Sequence, residues 1–316
     1  MNLYKTLITK LRPTDILVIV FYTILTIINL IFLNKIDNWL THVILNTILI
    51  ITIITIAHFD RKTKNVILQQ VHLWYIVPLI FATFKELHFM IEPLRGIIYD
   101  DILIQIDRFI FGFDPTVELY KIANPYLTEV LQIVYGTFFF LPIILGIDLI
   151  IKNKDRQFCF MTFIIVLGFF LSYIGYILLP AIGPRFTLHN FDLTNVELPG
   201  LFLTNYLREI VNAGESIPAG TPNPELVVQR DAFPSGHTQM TLLVMYLSVK
   251  FNSKTKYFFL INGSLLIFAT VYLRYHYVAD LIGGVIFMIF TLWSGYKLYN
   301  YIMQLHSKEK FEYPKN

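Results

Sequence analysis

Eight apolar stretches divide this chain, and most of them are long enough to need lipid rather than water as solvent. They cover residues 16–33, 39–57, 71–90, 126–151, 158–179, 235–249, 257–274 and 280–301. A helix crosses a bilayer with about 20 mostly apolar residues. Inside lipid the backbone must satisfy its own hydrogen bonds, so an all-α, polytopic membrane helix bundle of about eight transmembrane helices is expected. Composition agrees. Apolar residues make up 55% of the 316 residues and charged residues only 15%, against roughly 25% charged in soluble domains, and the mean hydropathy is +0.59. This excludes disorder, a coiled coil and a disulfide scaffold. The single cysteine, Cys159, has no partner for a disulfide or a thiolate metal site. A net charge of +3 gives no reason to expect nucleic acid as a partner.

The basic residues matter by position. Lys5, Lys10 and Arg12 precede the first stretch, which is too long for a signal-peptide core and is read as a retained span. Arg61, Lys62 and Lys64 follow the second. Lys152, Lys154 and Arg156 follow the fourth, Lys250, Lys254 and Lys256 the sixth, and Lys308, Lys310 and Lys315 the eighth. With eight spans all five clusters fall on one side, which the positive-inside rule makes cytoplasmic. Both termini are then cytoplasmic. Three units are expected: residues 1–70 with two helices, 71–304 as a six-helix core, and 305–316 as a polar tail. High Ile, Asn, Lys and Phe usage suits an AT-rich bacterial genome, and the inner (cell) membrane is the expected location.

The opposite side carries two long segments. Residues 92–125 interleave Asp100, Asp101, Asp107 and Asp114 with Leu103, Ile106 and Ile110, the pattern of an interfacial amphipathic helix. Residues 181–234 are rich in proline and glycine, with a second amphipathic stripe at Leu203, Tyr206, Leu207, Ile210 and Val211. Loops of this length are often functional.

Three polar segments fall on that side. They are Leu179-Pro-Ala-Ile-Gly-Pro-Arg185-Phe186, Phe233-Pro-Ser235-Gly236-His237-Thr238, and Tyr272-Leu-Arg274-Tyr-His276-Tyr-Val-Ala-Asp280. Pro-Ser-Gly-His before an apolar run reads as a helix start, with Ser235 as N-cap and Gly236 allowing close backbone approach. Free N–H groups there attract anions, and His237 can donate a proton to a bound group. His276 and Asp280 are four apart; on a helix they share a face, and the carboxylate would orient the ring and leave one nitrogen nucleophilic. Arg185 and Arg274 supply forks suited to phosphate oxygens. Each feature also has a plainer reading: His237 as an interfacial polar residue, His276/Asp280 as a structural hydrogen bond, Arg185 as a head-group anchor. Their convergence on one side favours chemistry. No set of thiolates or carboxylates demands a metal, and no cofactor is expected.

These segments resemble the three signature motifs of the type-2 phosphatidic acid phosphatase superfamily, K-x6-R-P, P-S-G-H and S-R-x5-H-x3-D, over roughly residues 71–304. Residues 234–237 match the second motif fully, and His276 and Asp280 match the end of the third. The Ser-Arg pair of the third motif falls on Ala269-Thr270, and Arg274 lies one helical turn beyond Thr270. The first motif has Leu178 in place of its lysine and reads Gly-Pro-Arg. These departures resemble the inositol phosphorylceramide and sphingomyelin synthase branch, as does residues 107–116, whereas Pro-Ser-Gly-His-Thr is the phosphatase-like spelling.

The resemblance implies an integral membrane enzyme acting on a phosphorylated lipid in the bilayer, a phosphoric monoester or diphosphate hydrolase or a phosphotransferase. It implies that His276 attacks phosphorus, Asp280 orients it, and His237 handles the leaving-group proton. Arg185, Arg274, Ser235 and Gly236 would hold the phosphoryl oxygens. The leading expectation is a lipid-phosphate phosphatase working through phosphohistidine on the extracytoplasmic face, with phosphatidate-type and polyprenyl diphosphate lipids as candidates. The alternatives are a phosphotransferase with an alcohol acceptor, and a transporter or non-catalytic membrane protein, suggested by the intramembrane pair Lys85-Glu86.

Overall fold

A computed structural model describes residues 11–63 and 65–314. Lys5, Lys10, Lys64 and Lys315, read above as topology markers, lie outside the described residues, as does the start of the N-terminal unit. The described residues form helices and loops, with no strand among them. In chain order the helices are α1 (Pro13–Ile31), α2 (Trp39–Thr63), α3 (Val66–Trp74), α4 (Ile76–Arg95), α5 (Asp100–Phe111), α6 (Pro115–Leu119), α7 (Pro125–Gly136) and α8 (Phe140–Ile151). There follow α9 (Asp155–Leu178), α10 (Pro184–Thr187), α11 (Thr194–Glu197), α12 (Thr204–Gly214), α13 (Pro224–Val227), α14 (Gly236–Lys250), α15 (Lys256–Tyr272) and α16 (Val278–Leu305).

The molecule is a polytopic helical bundle. Five of its helical segments are long and apolar enough to cross a membrane: α1, α2 to Asp60, α3 with α4, α9 and α16. The predicted fourth span is not one straight rod. It breaks between α7 and α8 with a 55° bend, and counting that pair as one span gives six. Pro142 explains the break, because it has no N–H to donate and its ring crowds the carbonyl four residues back, at Phe138. The remaining two predicted spans correspond to α14 and to the shorter apolar helix α15.

Helix α9 is the axis, with 83% of its span window inside the protein. It packs against α1, α4, α8, α14 and α16. Helices α1 and α2 form a hairpin on its outer side, where the rings of Phe21 and Phe170 stack at 3.9 Å. Two polar clamps fasten this hairpin. In one, Glu86 accepts hydrogen bonds from Asn29 (3.1 Å) and Asn46 (2.8 Å), linking α1, α2 and α4. In the other, His72 bridges Asp60 (2.7 Å) and Asp15 (3.0 Å), Arg12 pairs with Asp60 (3.0 Å), and Tyr75 donates to Asp15 (2.9 Å). The Lys85-Glu86 pair therefore splits: Glu86 faces the hairpin, while Lys85 donates to the carbonyl of Gly214 and to Ser216.

The described basic clusters gather at one end. Arg12, Arg156 and Lys308 line a single cavity of about 560 Å³, and Lys154 donates to the carbonyl of Phe251 at 2.6 Å. At the other end α9 and α15 finish, α14 and α16 begin, and the three polar segments meet.

Candidate active site

The second polar segment folds as its residues require. Ser235 is the N-cap of α14, accepting the Thr238 N–H at 3.2 Å. A Cβ on Gly236 would collide with the Tyr176 hydroxyl, so only glycine fits that first position. The third segment differs from a continuous helix. Helix α15 ends at Tyr272, and the chain then reverses, with the N–H groups of Tyr275 and His276 both donating to the Thr270 carbonyl (2.9 and 3.0 Å). Helix α16 starts only after Tyr277. His276 and Asp280 thus meet across a helix start rather than along one helical face. Asp280 lies in the first turn, where its Oδ2 accepts the Tyr277 N–H at 2.9 Å and contacts His276 Nδ1 at 3.2 Å.

The other ring nitrogen of His276, Nε2, lies 3.3 Å from His237 Nδ1. His237 is held by stacking on Tyr135 (centroids 4.6 Å apart) and by the tilted ring of Phe138 (4.2 Å). The backbone closes the arrangement, since Ser235 N–H donates to the Asp280 carbonyl at 3.0 Å. Burial pushes His276 down to about 4, against an ordinary 6.5. The imidazole is therefore neutral at physiological pH. With Nδ1–H directed at the carboxylate, Nε2 keeps its lone pair.

Arg185 enters from the first segment. Its guanidinium lies 5.0 Å from the Tyr275 ring centre and 4.7 Å from that of Phe186. It donates to Asn212 at 2.9 Å and pairs with Glu215. Tyr275 stacks on Tyr135 at 4.4 Å, so an aromatic ladder runs from Arg185 through Tyr275 and Tyr135 to His237. The structure therefore joins Arg185, Ser235, His237, His276 and Asp280 in one network, with Gly236 inside it. Arg274 stands apart from this network. It adopts a left-handed conformation (φ 67°) past the end of α15, pairs with Glu197 and lies over Tyr120. The helical geometry that would have carried it beyond Thr270 ends before reaching it.

A family model described as the PAP2 superfamily matches residues 102–294, more than half of the chain. The chain belongs to the PAP2 superfamily. No curated protein and no solved structure matches it significantly. Members of the PAP2 superfamily are generally phosphatases or phosphotransferases, and the matched stretch contains all three polar segments and α5 from Ile102 onward.

Several residues that hold this PAP2 site together were not among the predicted site residues. Asp100 accepts the N–H groups of Ile182 and Gly183 (3.0 and 2.8 Å) and the Tyr277 hydroxyl (2.9 Å), so it ties the first segment to the third. Gly183 has φ 92°, and a Cβ there would lie 2.8 Å from the Tyr275 carbonyl. Asp107 accepts the N–H groups of Val278 and Ala279 (2.9 and 2.7 Å), capping the helix that carries Asp280. Glu129 gathers the Leu201 and Leu203 N–H groups (2.8 and 2.7 Å). Two signals bore on them: Asp107 opens the stretch 107–116 that resembles the synthase branch, and Asp100 and Asp107 are seven apart on the amphipathic helix, hence on one face with Leu103. Among the described residues no group of three or more His, Cys, Asp or Glu side chains is placed to hold a metal ion.

Proposed function

We propose that this protein is a membrane phosphatase that removes phosphate from a lipid through a phosphohistidine intermediate on the extracytoplasmic face. The observation that carries this reading is the placement of His276 between Asp280 and His237. In the first step the lone pair of His276 Nε2 attacks phosphorus and the bond from phosphorus to the lipid oxygen breaks. His237, entering this step as the imidazolium, gives one proton to that oxygen and is left neutral. Asp280 accepts the Nδ1–H and stabilises the cationic ring that the attack creates. In the second step His237 takes a proton from water, the water oxygen attacks phosphorus, and the phosphorus–nitrogen bond breaks. Arg185, with the His237 N–H in the first turn of α14, would face the charge that builds on the phosphoryl oxygens, the larger part of such catalysis. Arg185 would exchange Glu215 for the phosphoryl group. Arg274 would act from its separate position beside Glu197, as a flanking charge. The gathered basic clusters support a cytoplasmic location for the opposite end.

A second reading, phosphotransfer to an alcohol, draws on Asp231. Its carboxylate lines the same cleft as His237 and has no hydrogen-bond or ion-pair partner in another residue among the described ones. Burial and then the nearby Glu215 push it well above the usual carboxylate range. An acceptor hydroxyl would find a hydrogen-bond acceptor there.

One assay separates the readings. Purified protein in detergent is given phosphorylated lipids with and without alcohol acceptors. Phosphate release without an acceptor supports hydrolysis, whereas product formed only with an acceptor supports transfer. Turnover that survives His276→Ala refutes both. For orientation, Val196→Cys in a Cys159→Ser background should react with an impermeant thiol reagent on intact cells, since Val196 is 73% exposed.

A further inference from the structure

Glu215 stands where an anionic ligand of Arg185 would bind. Its carboxylate pairs with the guanidinium, and the two side chains are only 17% and 4% exposed. The acid is built into a fixed turn at the end of α12. Its N–H donates to the carbonyls of Val211 and Asn212, both at 3.0 Å, and its own carbonyl accepts the Gln229 N–H at 3.2 Å. Ile217 N–H closes the turn on the Asn212 carbonyl at 2.8 Å. Lys85 grips the residues on either side of Glu215, at the Gly214 carbonyl (2.6 Å) and at Ser216 Oγ (3.1 Å).

The cation is equally fixed. The rings of Phe186, Tyr275 and Phe191 lie 4.7, 5.0 and 5.7 Å from the Arg185 guanidinium, and Asn212 accepts from it at 2.9 Å. An anion therefore reaches this arginine by turning the carboxylate aside rather than by drawing the arginine away. The backbone of the turn is held, so the side-chain torsions of Glu215 are what change. Lys85 lies within electrostatic reach of Glu215 and offers the displaced carboxylate a second cation. The carboxylate stays tethered beside the site and pairs again when the ligand leaves.

We propose that Glu215 is a built-in competitor for the phosphoryl site. It neutralises the buried Arg185 in the empty enzyme and returns to it as inorganic phosphate departs, so that product is not retained. The proposal rests on the phosphatase reading for the identity of that product; the competition itself requires only that Arg185 binds anions. It has a quantitative form. A tethered competitor divides the affinity of every ligand of Arg185 by the same factor, the reciprocal of the fraction of molecules in which the arginine is free. A residue that merely held Arg185 in position would act in the opposite sense, since its removal would weaken binding.

The test is calorimetric binding of inorganic phosphate and of phenylphosphonate to the full-length protein in detergent. Glu215→Gln keeps the shape and removes the charge. With Arg185 free in about one wild-type molecule in ten, this variant should bind both ligands about tenfold more tightly. Glu215→Asp keeps the charge and should stay within about threefold of wild type on the same reasoning. During turnover of a short soluble phosphate ester, KM in Glu215→Gln should fall in step with the phosphate Kd, and added phosphate should inhibit at correspondingly lower concentration. Weaker binding in Glu215→Gln, clearly different factors for the two ligands, or tightening in Glu215→Asp equal to that in Glu215→Gln overturns the proposal. So does a failure of both wild type and Glu215→Gln to bind phosphate. If binding behaves as expected and the wild type hydrolyses no ester, the phosphatase reading alone falls.

Discussion

His276 Nε2 and His237 Nδ1 face each other at 3.3 Å, although 39 residues of chain and an entire helical hairpin separate them. The contact fixes which proton can go where. With His276 Nδ1–H committed to Asp280, the facing Nε2 is an acceptor, so His237 Nδ1 carries the hydrogen between them. On the proposed mechanism a phosphoryl group entering between the rings displaces this hydrogen bond, freeing the Nε2 lone pair to attack while protonated His237 serves the leaving oxygen.

Removing the nucleophile or spoiling its orienting acid should each cripple turnover. His276→Ala deletes the nucleophile, and kcat should fall at least about 10³-fold. Asp280→Asn keeps the shape but offers an amide to Nδ1, favouring the wrong tautomer, and should cost on the order of 10³-fold with little change in KM. Quenching the reaction with radiolabelled substrate in alkaline detergent, which preserves phosphohistidine, should show a phosphoenzyme in wild type and none in His276→Ala. A labelled His276→Ala protein would refute the assignment.

Asp107 positions the site without reaching it. Its carboxylate caps two N–H groups at the start of α16, and loss of such a cap typically costs about 0.5–2 kcal/mol. Asp107→Ala should lower kcat, because the Asp280 turn loosens, while KM for a short soluble ester stays near wild type. Asp107→Asn retains an acceptor oxygen and should recover much of kcat. Equal losses in both variants would argue for a role of the charge itself.

These positioning residues show where sequence reading reaches and where it stops. Hydropathy located the helices because lipid imposes the same apolar requirement on every spanning turn, and Pro-Ser-Gly-His marked the start of α14 because capping is local. The bend at Pro142 was masked by continuous hydropathy through residues 126–151. The His276–Asp280 contact had the right partners and the wrong geometry: spacing of four suggested one helical face, whereas the chain turns at Arg274 and starts a new helix after Tyr277. Arg274 left the cluster for the same reason. Tyr135, Asp100 and Asp107 act through long-range contacts, to which no local pattern is sensitive.

The ionic clamp at the basic end should matter for stability and not for chemistry. Asp60 accepts from Arg12 and contacts His72, whose side chain is only 2% exposed. Arg12 is 27% exposed and can still reach water, but the buried His72 nitrogen loses its hydrogen-bond partner, at a cost of roughly 1–3 kcal/mol. Asp60→Ala should therefore lower the melting temperature in detergent by several degrees, with kcat per folded molecule unchanged. A melting temperature equal to wild type would mean that the hairpin is held by its apolar contacts alone.

Acid should remove activity and stability through His276 in two separable ways. Burial holds its pKa at about 4, below the ordinary 6.5. In the folded enzyme the nucleophile stays neutral until the pH approaches 4, so the His276-dependent limb of kcat/KM should fall only there, well below the pH at which an exposed histidine would titrate. Stability behaves differently. The unfolded chain takes up a proton near pH 6.5 that the folded chain refuses, so His276 should favour unfolding progressively as pH drops from about 6.5 to about 4, with no further change below. His276→Gln cannot titrate and should flatten that part of the stability profile while remaining inactive at every pH. Thermal melts of wild type and His276→Gln across this range test the point directly. Parallel slopes in the two proteins would show that other groups set the acid limit.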